Sequence, residues 1–117
     1  MEGCVFCMIV GGEIPSRKVY EDDRVYAFDD ITPQAPIHVL IVPKEHHSDL
    51  ADDVSVELMG RIFSSVPEIA RIKGLDDAGY RVVVNNGEDA GQTVGHLHVH
   101  VLGGRRMSHG MVEFAGE

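Results

Sequence analysis

Hydrophobic and polar residues alternate without a break over His96-Leu97-His98-Val99-His100-Val101-Leu102, the period of a strand with one buried face. Residues i, i+2 and i+4 of a strand share a face, so His96, His98 and His100 are expected to project together at roughly 7 Å spacing. Leu97, Val99 and Val101 then enter a core. Ile37 to Pro43 sets Val39 and Ile41 against His38, Leu40 and Val42; apolar on both faces, it predicts a central strand. Lys18 to Glu21 and Arg24 to Asp29 flank Asp22-Asp23 and predict a hairpin, and Tyr80 to Val84 predicts a further strand.

Leu58, Met59, Ile62, Phe63, Val66, Ile69 and Ala70 recur at intervals of three and four, the pattern of an amphipathic helix. Asp52, Asp53 or Ser55 is placed to cap its start and Gly74 its end. Pro67 removes a hydrogen bond and crowds the Phe63 carbonyl, so a kink is expected there. The apolar run before Gly11-Gly12 predicts a short N-terminal helix. The sum is an α+β domain, a five-stranded antiparallel sheet with one long helix and a short N-terminal one. Between these elements, Asp29 to Pro36 reads as a turn-rich loop stiffened by Pro33 and Pro36, suited to a ligand wall. The stretch from Gly103 onward reads as a loop or tail.

Size and charge narrow the function. A chain of 117 residues makes one domain. Ten basic residues against 19 acidic ones leave a net charge of −9, and only Arg105-Arg106 is a dense basic spot. Polymeric nucleic acid is held through many Lys/Arg–phosphate contacts, which this chain does not supply. A small phosphate ester gripped locally remains accessible to an acidic protein, and a nucleoside monophosphate suits the field better than a polyphosphate. No apolar run approaches the roughly 20 residues of a membrane span, and no signal-peptide pattern opens the chain, so no membrane partner and a cytoplasmic location are expected. Cys4 and Cys7 are the only cysteines and make no disulfide framework.

Two chemistries compete for the histidine row. The polar loop Asn85 to Gly95 runs into it, and backbone N–H groups beside a row of imidazoles suit phosphate chemistry. His-x-His on a strand equally suits zinc or copper. Cys4-x-x-Cys7 adds two thiolates at zinc-knuckle spacing, whereas a complete structural site needs four ligands. The residues alone leave both readings open.

The row resembles the His-φ-His-φ-His-φ-φ signature of the histidine triad (HIT) superfamily. Glu13-Ile14-Pro15, Tyr20-Glu21-Asp22-Asp23, Ala27-Phe28-Asp29-Asp30-Ile31, Ala35-Pro36-Ile37-His38, Val42-Pro43-Lys44-Glu45-His46 and Gly103-Gly104-Arg105 resemble its Hint branch, the purine nucleoside phosphoramidases. The likeness spans residues 1–107 as a HIT domain and leaves 108–117 as a C-terminal tail. It implies the HIT-like fold and a homodimer whose two sheets join, with a purine nucleotide as the small-molecule partner. The activity it implies is hydrolysis of AMP-linked amines and aminoacyl-adenylates through a covalent nucleotidyl-histidine. By motif position His98 is the nucleophile. Asp30 holds the ribose, and Ile31 lines the base pocket with Phe6, Ile9 and Ile14. Asn85, Gly91, Gln92, Thr93 and His100 surround the α-phosphate, and His38 and His96 orient the row. No cofactor is required for the chemistry. A structural zinc on Cys4, Cys7, His46 and His96, with His47 as a fallback, is implied by related bacterial proteins.

That assignment stands up chemically. A neutral imidazole is a competent nucleophile at pH 7 once its other nitrogen donates to a fixed acceptor. The departing amine needs a proton, for which Thr93 Oγ and a protonated His100 are the candidates. Thr93 replaces the serine of many Hint members, and the chain lacks the Trp-Pro-Pro ending of the animal proteins, which bears on the leaving group. Two alternatives are weighed beside it. Dinucleoside polyphosphate hydrolysis, as in the Fhit branch, wants a cationic groove and usually a glutamine where His100 stands. A nucleotide-binding adaptor or sensor would bind with little turnover.

Overall fold

The computed structural model describes residues 3–108. In chain order it contains α1 (Val5–Val10), β1 (Lys18–Glu21), β2 (Val25–Asp29), β3 (Ile37–Pro43), α2 (Val56–Ile72), β4 (Arg81–Val83) and β5 (Val99–Gly103), with one 3-10 turn at Glu88–Ala90. The strands form a single antiparallel sheet in the order β1-β2-β3-β5-β4, so β3 is central as its two apolar faces require. No helix among the described residues is long and apolar enough to cross a membrane. Of the tail 108–117, only Ser108 is among the described residues.

The alternation read along β2, β3 and β5 divides the sheet into two faces. Val25, Ala27, Val39, Ile41, Leu97, Val99 and Val101 pack against Leu58, Ile62, Val66, Ile69 and Ala70 of α2. Tyr26, Phe28, Leu40 and Val42 face the other way and meet Cys4, Phe6 and Ile9 of the N-terminal segment. The long helix therefore builds the core, while the short one leaves room for a site. α2 is capped by Ser55, the third of the three candidates, whose hydroxyl accepts the Leu58 N–H at 3.0 Å. It runs through Pro67 and ends at Lys73, after which Gly74 takes a left-handed φ of 73°.

Two strands are shorter than their sequence patterns. β4 keeps only Arg81–Val83 of the expected Tyr80 to Val84. β5 begins at Val99 rather than at the first histidines. The backbone of 96–98 bonds elsewhere: the His96 carbonyl accepts from the His98 ring at 2.7 Å, and the Leu97 N–H donates to the His47 carbonyl at 2.7 Å. The facial alternation nonetheless persists, with Leu97 in the α2 core and His96 and His98 both edge-on to Phe6.

Ile62 is fully buried, whereas Ile72 is half-exposed at the end of the same helix. Ile62→Ala is expected to destabilise the fold by about 2–5 kcal/mol through lost transfer energy and a residual cavity. Ile72→Ala should cost a fraction of that. Urea unfolding of the two variants side by side checks the difference.

Candidate active site and metal-donor cluster

A cavity of about 300 Å³ opens between α1, the connector before β1, the loop after β2 and the residues leading into β5. Phe6, Ile9 and Ile14 form one apolar wall, and Asp30 and Ile31 stand at the rim, Ile31 being 92% exposed. Thr93, His98 and His100 close the far end. All eight were expected there. Phe28, Leu40, Pro15 and Ser16 also line it and were missed, while Thr32 belongs to the turn-rich loop expected as a ligand wall. The signal for Phe28 and Leu40 was the same alternation that put Ala27 and Val39 in the core: their neighbours must face the other side.

Asn85, Gly91 and Gln92 do not line this cavity, contrary to expectation. The 3-10 turn consumes the loop's polar groups. The N–H groups of Gly91 and Gln92 donate to the carbonyls of Glu88 and Gly87. The Gln92 amide donates to the Ser48 and Val94 carbonyls and accepts from the Gly87 N–H. Gly91 and Gln92 thus shape the loop that presents Thr93.

Hydrogen-bond partners fix the tautomers of His98, His38 and His100. The His98 Nδ1–H donates to the His96 carbonyl at 2.7 Å, which leaves a lone pair on Nε2. The Gln34 N–H donates to His38 Nδ1 at 3.0 Å, so the His38 proton sits on Nε2 and is given to His100 Nδ1 at 2.8 Å. His100 must then carry its own proton on Nε2, and that buried nitrogen has no partner among the described residues. A nucleophilic lone pair and an unsatisfied N–H donor therefore meet at one end of the cavity, on rings 5.0 Å apart. An unpaired buried donor costs stability unless something arrives to accept from it.

Burial pushes His100 down to about 4, reinforced by the neighbouring His98 and His38. His38 is lowered by burial too, with the Asp30 carboxylate pulling in the opposite direction. Burial thus favours the neutral ring in both at pH 7, and His100 donates as a neutral N–H. Asp30, His38 and His100 also place ligand atoms within 4.8 Å of one another, but the two facing ring nitrogens already share a proton.

A second cluster lies around His96, next to His98. Cys4 Sγ, Cys7 Sγ, His46 Nδ1 and His96 Nδ1 all lie within 4.8 Å of one another. The Sγ to Nδ1 separations are 3.3 Å for Cys4–His96, 3.2 Å for Cys7–His46 and 3.5 Å for Cys7–His96. A tetrahedral zinc with bonds of about 2.0–2.3 Å separates its ligand atoms by about 3.3–3.8 Å, so the donor set fits. The fully buried His96 donates its Nε2–H to the Pro43 carbonyl at 2.9 Å, which turns the Nδ1 lone pair toward the sulfurs. His47 is not a member: its Nδ1 faces the Asp52 carbonyl at 2.7 Å and its Nε2 the Glu45 carboxylate at 2.8 Å.

An α+β sheet carrying a histidine row at the end of an apolar slot defines a class, and comparison with known proteins specifies it. The HIT domain model matches residues 11–107. The chain is 43% identical over 108 residues to a 14 kDa zinc-binding protein of Brassica juncea, covering 89% of this chain and 95% of the relative. A HIT family hydrolase from Clostridium thermocellum superposes with a TM-score of 0.90 at 43% identity, covering 96% of this chain and 99% of that one. A histidine triad nucleotide-binding protein from Candida albicans gives 0.81 at 34% identity, covering 94% and 87%. The chain belongs to the HIT domain family.

The depressed imidazoles tie stability to pH. Between about 6.5 and 4 the unfolded chain takes up protons at His96 and His100 that the folded chain refuses. Stability should therefore fall as pH drops through that window and level off above it. Denaturation midpoints across pH 4–8 check the slope, and ring ¹⁵N spectra at pH 7 should show His98 protonated at Nδ1 and His38 and His100 at Nε2.

Proposed function

We propose that this protein hydrolyses purine nucleoside 5′-phosphoramidates and aminoacyl-adenylates through a covalent nucleotidyl-His98. The observation that carries this reading is the convergence of the His98 Nε2 lone pair with the unpartnered His100 Nε2–H at the end of an apolar slot. The likeness to a HIT family hydrolase and to a histidine triad nucleotide-binding protein supports it. A planar purine suits the slot between Phe6, Ile9, Ile14 and Phe28. Asp30 then accepts from the ribose hydroxyls.

The reaction runs in two displacements. His98 Nε2 attacks phosphorus and forms a P–N bond while the bond to the leaving amine breaks, its electron pair going to the amine nitrogen. That nitrogen takes a proton through the Thr93 hydroxyl, which is exposed and resupplied by water. The His100 N–H donates to a phosphoryl oxygen as negative charge builds there. Water then attacks phosphorus, the P–Nε2 bond breaks with its pair returning to Nε2, and the water's proton passes to solvent.

Zinc fits as a structural ion on Cys4, Cys7, His46 and His96, and the name of the Brassica relative supports it. When bound it supplies a rigid tether for the segment that carries the nucleophile. Both thiols must lose their protons to bind it, and burial together with Cys4 raises Cys7, so affinity should climb with pH. A second copy of the chain suits the outer edge of β4, which pairs with no further strand among the described residues and leaves Tyr80 and Val82 exposed.

His98→Ala should lower kcat on adenosine 5′-phosphoramidate by at least ~10³-fold while AMP binding stays within a few-fold. A variant that retains most of its turnover removes the covalent mechanism. Protein purified without chelator should carry one zinc per chain by elemental analysis, and His46→Ala should lose it and melt at lower temperature. Metal-free wild-type protein with an unchanged melting point would remove the zinc assignment.

A further inference from the structure

We propose that recognition of the substrate's sugar at Asp30 is coupled to the aim of the His100 donor through the loop between β2 and β3, with Thr32 and Gln34 as positioning residues. The inference rests on the phosphoramidase reading and adds where the sugar's binding energy is expressed. The loop is closed on itself by an unbroken set of hydrogen bonds. Asp30 Oδ1 accepts the Thr32 N–H at 2.9 Å and the Thr32 hydroxyl at 3.1 Å. The Thr32 carbonyl accepts from the Gln34 side-chain amide at 3.1 Å. The Gln34 backbone N–H donates to His38 Nδ1 at 3.0 Å, and the Asp30 N–H donates to the His38 carbonyl at 2.9 Å.

His38 thus clasps the loop at both ends, and the same ring gives its Nε2–H to His100. The second oxygen of Asp30 lies 3.5 Å from that Nε2, close enough to compete electrostatically for its proton. Sugar hydroxyls donating to Asp30 draw on this oxygen and leave the His38 proton to His100 alone. Pro33 and Pro36 restrict the backbone between the two ends, so a restraint at Asp30 reaches Gln34 with little slack. Binding energy from a non-reacting part of the substrate is then converted into orientation at phosphorus. The consequence is specific: loss of a sugar hydroxyl lowers kcat, and does not merely raise KM.

The test uses the full chain and two substrates, adenosine 5′-phosphoramidate and its 2′-deoxy counterpart. Wild type should turn over the ribo substrate about tenfold faster at saturation, with a smaller change in KM. Thr32→Val and Gln34→Ala should lower the ribo kcat and bring the ribo-to-deoxy kcat ratio toward one. Thr32→Ser keeps the hydroxyl and should restore the wild-type ratio, a rescue that a merely structural role would not show. Discrimination carried wholly by KM, or a kcat ratio untouched by both variants, overturns the coupling and leaves the phosphoramidase reading standing. A wild type inert toward the ribo substrate overturns both.

Discussion

The hydrogen bond from the His98 ring to the carbonyl of His96, 2.7 Å long, sets the chemistry of the whole site. It keeps the proton on Nδ1, turns the lone pair of Nε2 outward, and draws the backbone of 96–98 out of the sheet ladder. His96 can serve as this anchor because it is held on three sides. Its Nε2–H is bound by the Pro43 carbonyl at the end of β3, its Nδ1 faces two cysteine sulfurs, and its ring is fully buried. The orientation of His98 thus depends on a residue that does not line the cavity. A donor cluster between α1 and the β5 approach ties that residue to the N-terminal segment.

The electrostatic design follows from burial more than from charge. Crowded imidazoles would repel if protonated, but desolvation holds His96 and His100 near 4 and lowers His38. Neutral rings can then be linked donor to acceptor, from the Gln34 backbone through His38 to His100, and the chain ends on a single N–H with nothing to meet it. Such a site presents a directed dipole without a cationic surface. That arrangement suits a protein with a net charge of −9 and a small phosphate ester better than a polyphosphate.

The two faces of the sheet divide the work. One is sealed by α2 and supplies most of the hydrophobic stabilisation; the other is only partly covered by the six residues of α1. A short helix leaves a slot lined by Ile9, Ile14, Phe6 and Phe28, the two phenyl rings packing edge-on with centroids 5.6 Å apart. Ligand space and N-terminal packing are therefore made by the same side chains.

Periodicity determined most of this architecture. Alternation in β3 and around Val99 assigned residues correctly to the two faces, and the three-and-four spacing from Leu58 to Ala70 located the core-forming helix. The shared face of His98 and His100 was legible because a strand's two-residue period is a property of neighbouring residues; Asp30 and the apolar wall were expected from the family resemblance. The tertiary structure decided the rest. That β5 begins at Val99, that Ser55 caps α2 in place of Asp52 or Asp53, and that Gln92 is spent on Ser48 and Val94 all depend on competing partners. The protonation pattern belongs to the same category. His38 and His100 lie 62 positions apart, and Cys4 and His96 lie 92 apart. A tautomer or a ligand set is fixed by what stands within 3 to 4 Å of each nitrogen, and only the folded chain brings those atoms there.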